Sequence, residues 1–254
     1  MAGYLSNRGQ IEFLRRYGFV VIPGLFPPNL CEITKYTARA ELAQLKGAIE
    51  FESDLRYLGA PQSRDAPGGN TVRRLLDAYA RSEMYRTLAK STEIRNWVEL
   101  YFDEHIALSL VHHNCLMTKH PTYGSLTGWH RDVRYWAFER SDLVSVWLAL
   151  GTETEENGAL RFVPGSHVLD LSDKRFDESK FFRDDISENI VLMSTAISPI
   201  LNLGDAVFFH CNTLHSAGKN LSNDIKFSLV FTYHSVNNAP VPGTRSASKL
   251  GVPL

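Results

Sequence analysis

The chain has 254 residues, of which 44% are hydrophobic and 22% charged, and its formal net charge is −1. A chain of this length can bury a full hydrophobic core, and an all-β fold of this size is routinely a single domain. Because the charges nearly cancel, the chain lacks the electrostatic signature of nucleic-acid binding, and we expect no nucleic-acid partner.

The cysteines and the N-terminus bear on the cellular compartment. Cys31, Cys115 and Cys211 are odd in number and widely spaced, which indicates neither a disulfide framework nor a cysteine-based zinc site. No apolar run approaches the ~18 residues of a membrane-spanning helix. The N-terminus also lacks the basic start and apolar stretch of a signal peptide. We therefore expect a cytoplasmic protein, and the sequence leaves its oligomeric state open.

Residues 1–105 show mostly helical patterns, interrupted by short apolar segments and turn signals. The predicted features are, in chain order, an N-cap at Ser6, a helix stop at Gly18, a strand at Phe19–Ile22, an N-cap at Asn29 and a helical stretch from Val72 to Phe102 with a break near Ser91.

From residue 106 the segments become short and rich in β-branched and aromatic residues. The predicted strands are Ala107–Thr118, Thr127–Asp132, Leu143–Leu150, Leu160–Val163, Ser198–Leu201, Ala206–Phe209 and Lys226–Ser235. Helices followed by many antiparallel strands favour a β-sandwich or open barrel, residues 106–254, that the N-terminal helices buttress. A stretch of mixed charge at about 168–195 is either a solvated loop or a lid, and we expect one domain over 1–254.

The sequence Gly128-Trp129-His130-Arg131-Asp132 carries the main chemical signal. On a strand, side chains at positions i and i+2 lie on the same face, which brings His130 and Asp132 together. His215 can join them only through the fold. Two histidines and one carboxylate form the facial triad of non-haem Fe(II) oxygenases. An isolated His-x-Asp, however, is more often a hydrogen-bonded pair on an exposed strand.

Four motifs, in the same order along the chain, resemble those of the phytanoyl-CoA dioxygenase family. They are Trp129 to Asp132, Trp147, Glu156 to His167, and Gly204 to His210 with His215. The resemblance covers nearly the whole chain. It implies a double-stranded β-helix, the jelly-roll or cupin-like fold, and an oxygenase that depends on Fe(II), 2-oxoglutarate and O2.

The resemblance also implies roles for individual residues. His130, Asp132 and His215 would hold Fe(II), and it implies no catalytic residue beyond these ligands. Because Asp132 is an intact carboxylate, where related halogenases carry a small residue, hydroxylation is the expected reaction.

Cosubstrate contacts follow from the same resemblance. In the family a basic residue, commonly Arg, stands eleven positions after the second histidine, and here that residue is Lys226. Lysine binds a carboxylate as a point charge and lacks the bidentate fork of arginine. The other candidates for 2-oxoglutarate contacts are Ser228, Trp147, Met117, Cys115 and Lys119.

Substrate contacts are less defined by the sequence. Arg134 follows the strand alternation of His130 and Asp132, Arg161 precedes the turn near the barrel mouth, and Arg74 opens a predicted helix. Inward-pointing arginines would suit an anionic substrate, and the aromatic ring of Trp136 offers a stacking surface. We therefore expect a small polar or anionic substrate.

Two other functions stay open at this point. A cupin-like isomerase or hydrolase would use the same metal ligands without oxygen, and a non-catalytic barrel would only bind a ligand. Loss of one ligand would have favoured the binding barrel, but all three ligands are present.

Overall fold

A computed structural model describes residues 5–55 and 57–254. The α-helices within these residues are α1 Asn7–Tyr17, α2 Pro28–Gln44, α3 Ala78–Arg81, α4 Glu83–Ala89, α5 Thr92–Phe102 and α6 Ser187–Met193. The strands there are β1 Phe19–Ile22, β2 Ile49–Phe51, β3 Val72–Leu76, β4 Ile106–Leu108, β5 Asn114–Lys119, β6 Thr127–His130, β7 Val144–Ala149, β8 Leu160–Phe162, β9 Ala206–His210, β10 His215–Ala217, β11 Lys226–Ser235 and β12 Val252–Pro253.

Two antiparallel sheets form the core. The larger has the order β1-β9-β7-β11-β5-β3-β2, with β4 and β12 added beside β11, and the smaller has the order β6-β10-β8. Trp147 and Val230 of the larger sheet share one apolar cluster with Phe162 and Ala217 of the smaller sheet. The sheets therefore face each other as a jelly-roll without closing into a barrel, which confirms the predicted fold class.

The N-terminal helices cover the outer face of the larger sheet. Leu14 of α1 and Trp97 of α5 belong to the same apolar cluster as Val146, Phe208 and Leu229 of the sheet. Successive strand residues point to opposite faces. One face of the sheet therefore packs on helices, and the other faces the smaller sheet. Every helix among the described residues is too short or too polar to span a lipid bilayer.

Several predicted boundaries are confirmed. The Ser6 hydroxyl accepts a hydrogen bond from the amide of Gly9 at the start of α1, and Gly18 ends that helix in the left-handed region, with φ 84°. The strand Phe19–Ile22 has the predicted bounds. Ser91 caps α5 by accepting from the amide of Ile94. The signal-peptide expectation concerns in part residues 1–4, which lie outside the described residues.

Two N-terminal predictions are wrong. The N-cap of α2 is Pro27 and not Asn29, since a proline at the first helical position, Pro28, has its φ already set for the helix. Residues 72–76 are a strand and not a helix, because β3 pairs with both β2 and β5. Pairing in the sheet overrides the local helical spacing.

In the second half, four predicted strands are confirmed within two residues, at Leu143–Leu150, Leu160–Val163, Ala206–Phe209 and Lys226–Ser235. The predicted strand Ala107–Thr118 is divided into β4 and β5 by an irregular segment, in which His112 has φ 68°. Ser198–Leu201 forms no strand, and Leu201 makes only an isolated bridge to Glu153. Thr127–Asp132 ends as a strand at His130.

The segment 168–195 contains α6 and a 3₁₀ turn, Asp173–Arg175. The amide of Phe182 donates to the carbonyl of Trp129 over 2.7 Å, and the Phe182 ring is buried. This contact attaches the segment to β6 directly beside His130. Its action as a lid stays a prediction.

We expect Leu229→Ala to lower the free energy of unfolding by about 2–5 kcal/mol, because truncating a buried leucine leaves a cavity. Leu229 is 1% exposed between β5 and β7. Urea unfolding measures the change, with Leu221→Ala, at a 76% exposed position, as the matched control. A loss at Leu229 as small as that of the control would contradict the described packing.

Candidate metal centre and its cavity

His130, Asp132 and His215 converge in the structure. His130 at the end of β6 lies directly opposite His215 at the start of β10. One ligand atom from each of the three residues lies within 4.8 Å of the others. The Nε2 atoms of both histidines are 3.4 Å from Oδ1 of Asp132.

Asp132 is positioned by a turn and not, as predicted, by the strand that carries His130. It is the first residue of a 3₁₀ turn, Asp132–Tyr135, and not part of the strand. The amide of Val133 donates to the carbonyl of Cys211 over 3.0 Å, which holds the turn against the chain that leads to His215. The prediction that strand alternation places Arg134 on the same face as His130 and Asp132 is therefore wrong.

Backbone contacts orient both imidazoles. Nδ1 of His130 lies 2.8 Å from the carbonyl of Gly128, and Nδ1 of His215 lies 2.9 Å from the carbonyl of Thr213. A carbonyl only accepts, so each Nδ1 carries the proton and each Nε2 presents a lone pair to the shared focus. This is the usual second contact of a metal-binding histidine.

The donor set fits a divalent cation. Asp132 is fully buried, and its oxygens make no well-aligned hydrogen bond among the described residues. Their nearest polar neighbours are the imidazoles of His113, His130 and His215, and a cation held between these groups would offset the cost of burying the carboxylate. Burial raises the pKa of Asp132, but His113 and His215 more than offset this and hold that pKa well below its usual value. Burial, with His215 nearby, lowers the pKa of His130 to about 4. At neutral pH these two groups are deprotonated, as metal binding requires.

A cavity opens between the two sheets beside the triad. Its mostly apolar lining, with a few polar side chains that converge on the triad, is typical of a small-molecule site. Arg74, Met117 and Ser228 lie side by side on β3, β5 and β11 and form one row of its wall. Lys119 and Lys226 are opposite each other at the far end.

A carboxylate of the protein itself, that of Glu153, forms an ion pair with Lys226. Oε2 of Glu153 is 2.7 Å from Nζ of Lys226, while Oε1 accepts from the Ser228 hydroxyl at 2.6 Å and from Nε1 of Trp147 at 3.0 Å. Glu153 is fully buried. Three candidates for the cosubstrate carboxylate therefore surround a glutamate that the sequence analysis did not single out.

The three candidates on β5 differ in position. Met117 and Lys119 line the cavity. Cys115 is fully buried, with its Sγ 3.6 Å from Sδ of Met117, and it does not line the cavity. Burial raises the pKa of Cys115 to about 12, so its thiol is an inert part of the packing.

Among the four substrate candidates, Arg74 lines the cavity. Because it lies on β3, its predicted position at a helix start is wrong, and its Nε is 3.2 Å from Oε1 of Glu50. Arg134, on the 3₁₀ turn, stacks over the ring of Phe181 at 4.0 Å.

The remaining two candidates lie away from the cavity. Arg161 is exposed on β8, 3.8 Å from Glu155. It alternates with the buried Leu160 and Phe162, so its predicted inward direction is wrong. Trp136 is buried in a small cluster with Leu143 and Cys211, which leaves no free face for stacking.

Further residues lie close to the site. Nδ1 of His113 lies 3.1 Å from Oδ2 of Asp132. The hydroxyls of Tyr57 and Tyr135 are 3.1 Å apart, and Phe181 packs edge-on against Tyr57. Local spacing holds no signal for these contacts, because they join segments far apart in the chain.

Comparison with known proteins adds to this geometry. Human peroxisomal phytanoyl-CoA dioxygenase is 26% identical over 232 residues, a match that covers 83% of this chain and 63%, less than two thirds, of the human protein. The ectoine dioxygenase of Streptomyces coelicolor is 24% identical over 253 residues, covering 92% of this chain and 80% of that protein.

A solved structure shows the same fold. The crystal structure of the epimerase SnoN in complex with Fe3+, alpha ketoglutarate and nogalamycin RO superposes with a TM-score of 0.75 at 23% identity. The match covers 98% of this chain and 95% of that one.

The sequence model of the family described as phytanoyl-CoA dioxygenase (PhyH) matches residues 14–228. This range is well over half of the chain and includes all three residues of the triad. The implied cofactor and cosubstrates, Fe(II), 2-oxoglutarate and O2, fit the donor set and the basic cavity. The chain belongs to the phytanoyl-CoA dioxygenase family of Fe(II)- and 2-oxoglutarate-dependent oxygenases.

Proposed function

We propose that this protein hydroxylates an aliphatic carbon of a small polar or anionic molecule, with conversion of 2-oxoglutarate to succinate and CO2. The observation that carries the proposal is the buried triad. Asp132, whose oxygens make no well-aligned hydrogen bond among the described residues, meets two oriented imidazoles at the edge of a cavity with basic residues in its wall.

The triad supplies the metal-binding step of the proposed function. His130, Asp132 and His215 would hold Fe(II), and all three residues also line the cavity. When bound, Fe(II) supplies the activation of O2 that no amino-acid side chain provides. The protein contributes three ligands in a fixed arrangement and a mostly apolar space between the two sheets.

The cosubstrate fits along the wall of the larger sheet. Its 2-oxo acid end belongs at the triad, and its distal carboxylate belongs at the basic end that Lys119 and Lys226 form. Met117 lies on the wall between these ends, beside Ser228. Trp147 and Ser228 contact this end through Glu153.

The substrate fits on the side of Arg74. This guanidinium is the substrate candidate that lines the cavity. Its Nε faces Glu50, but arginine, unlike lysine, carries further N–H donors whose fork matches a carboxylate or phosphate. Phe181, 5.8 Å from the ring of His130 and stacked under Arg134, supports a lid role for 168–195. The free, buried cysteines suit a reducing compartment, and we keep the cytoplasm as the expected location.

Two other functions make different experimental predictions. A cupin-like isomerase or hydrolase would need the metal but form no succinate. A ligand-binding barrel would form no product at all. Substrate-stimulated succinate release therefore separates the three functions in one assay.

We expect Asp132→Ala to abolish metal binding and to lower succinate formation by well over about a hundredfold, since losing even an outer-shell partner costs 10–100-fold. Mn(II) titration and a succinate assay over a substrate panel measure both effects. Asp224→Ala, at an exposed position, is the matched control. Wild-type turnover in Asp132→Ala would overturn the site assignment.

We expect Arg74→Gln to raise the KM for an anionic substrate by about ten- to a hundredfold, the value of a hydrogen bond to a charged group. A panel of small carboxylates and their neutral analogues, screened for stimulated succinate release, identifies the substrate first. Arg161→Gln, on the outer face, is the control and should leave the KM unchanged. The reverse pattern, with an effect only at Arg161, would exclude Arg74 as the anchor.

A further inference from the structure

Two buried lysines stand side by side at the far end of the cavity, but their surroundings differ. We propose that Lys119, and not Lys226, holds the distal carboxylate of 2-oxoglutarate, with the Glu153–Lys226 ion pair as a fixed wall behind it. The inference rests on the proposed function, because it names the anchor of that reaction's cosubstrate.

Lys226 is already neutralised by a carboxylate of the protein. Its Nζ lies 2.7 Å from Oε2 of Glu153, and Oε1 accepts hydrogen bonds from Ser228 and Trp147. Displacing Glu153 from this position would leave a buried carboxylate without its charged partner, which is strongly unfavourable. A cosubstrate that needed Lys226 would have to meet this cost at every turnover.

The surroundings of Lys119 are different. It is buried and lines the cavity, and its Nζ contacts the carbonyl of Ala217 at 3.3 Å. Among the described residues, no carboxylate forms an ion pair with it. Burial, with Lys226 and Arg73 nearby, lowers the pKa of Lys119 well below its usual value, as expected for a cation that lacks an anion.

The backbone keeps space for the Lys119 side chain. Gly158 has φ +74°, and a Cβ atom there would lie 2.8 Å from Cδ of Lys119 and 2.6 Å from the carbonyl oxygen of Gly218. A side chain at position 158 would therefore press on Lys119. Glycine leaves the lysine stem room in the cavity wall.

Most charged groups around the cavity are paired within the protein. Glu50 and Glu52 pair with the two arginines of the wall, Arg73 and Arg74, and Glu153 pairs with Lys226. Among the described residues of the cavity, Asp132 and Lys119 are the groups left without an arginine, lysine or carboxylate partner. With Fe(II) bound and Lys119 protonated, these groups leave a net positive charge that a dianion such as 2-oxoglutarate neutralises, and the dianion in turn favours the protonated lysine. Without Lys119 the enclosed complex would carry an uncompensated negative charge, which is costly in a buried site.

The test measures binding and not turnover. The Mn(II)-loaded protein is titrated calorimetrically with 2-oxoglutarate and with 2-oxopentanoate, which has the same carbon chain without the distal carboxylate. We expect Lys119→Met to weaken 2-oxoglutarate binding by at least about thirtyfold, as for truncation of one partner of a buried charge pair. Binding of 2-oxopentanoate and of Mn(II) should change by less than about twofold.

Three further variants complete the test. Lys119→Gln gives a second measurement where the methionine variant is unstable, and Lys219→Met, at an exposed lysine, is the matched control. The double variant Glu153→Gln/Lys226→Met removes the ion pair while keeping its volume. We expect it to lose less affinity for 2-oxoglutarate than Lys119→Met.

The possible outcomes distinguish a failure of the proposed function from a failure of the anchor assignment alone. If the wild-type protein binds neither 2-oxo acid, both the proposed function and the anchor fail. If it binds 2-oxoglutarate and both Lys119 variants bind it equally well, the anchor alone is wrong. A larger loss in the double variant than in Lys119→Met would assign the anchor to Lys226.

Discussion

The meeting of His130 and His215 across two antiparallel strands is the constraint on which the rest of the site depends. These residues are partners in the register of β6 and β10, so the pairing of the smaller sheet sets the distance between the two imidazoles. Asp132 completes the arrangement because the chain turns immediately after His130. A shift of register by one residue would send one imidazole to the opposite face of the sheet.

Buried charge then decides how the cavity can be used. Arg73 donates to Glu52, Ser125 and Thr127, which ties β3 to the segment that leads into β6. Glu153 satisfies Lys226 in the same way at the other end. Charged groups that are paired within the protein fix the walls. Asp132 and Lys119, which have no arginine, lysine or carboxylate partner among the described residues, mark where ligands would bind.

The parts that sequence reasoning predicted correctly are those with local signals. The strand Lys226–Ser235 has its predicted bounds. The family motifs, recognised by their order along the chain, predicted that His130 and His215 meet. Contacts between distant segments carry no local signal. Glu153 and Lys226 are 73 positions apart, and the helical spacing of Val72–Leu76 was overridden by two strand neighbours. The pairing of charged groups in the cavity could therefore be recognised only in the folded structure.

The central claim is that two imidazoles and one carboxylate share a single metal ion. The most direct measurement is a crystal structure of the Mn(II)-loaded protein with data collected for the anomalous signal of manganese. We predict one strong peak within coordination distance of Nε2 of His130, Nε2 of His215 and a carboxylate oxygen of Asp132. A peak elsewhere in the molecule, with the triad empty at saturating Mn(II), would contradict the account.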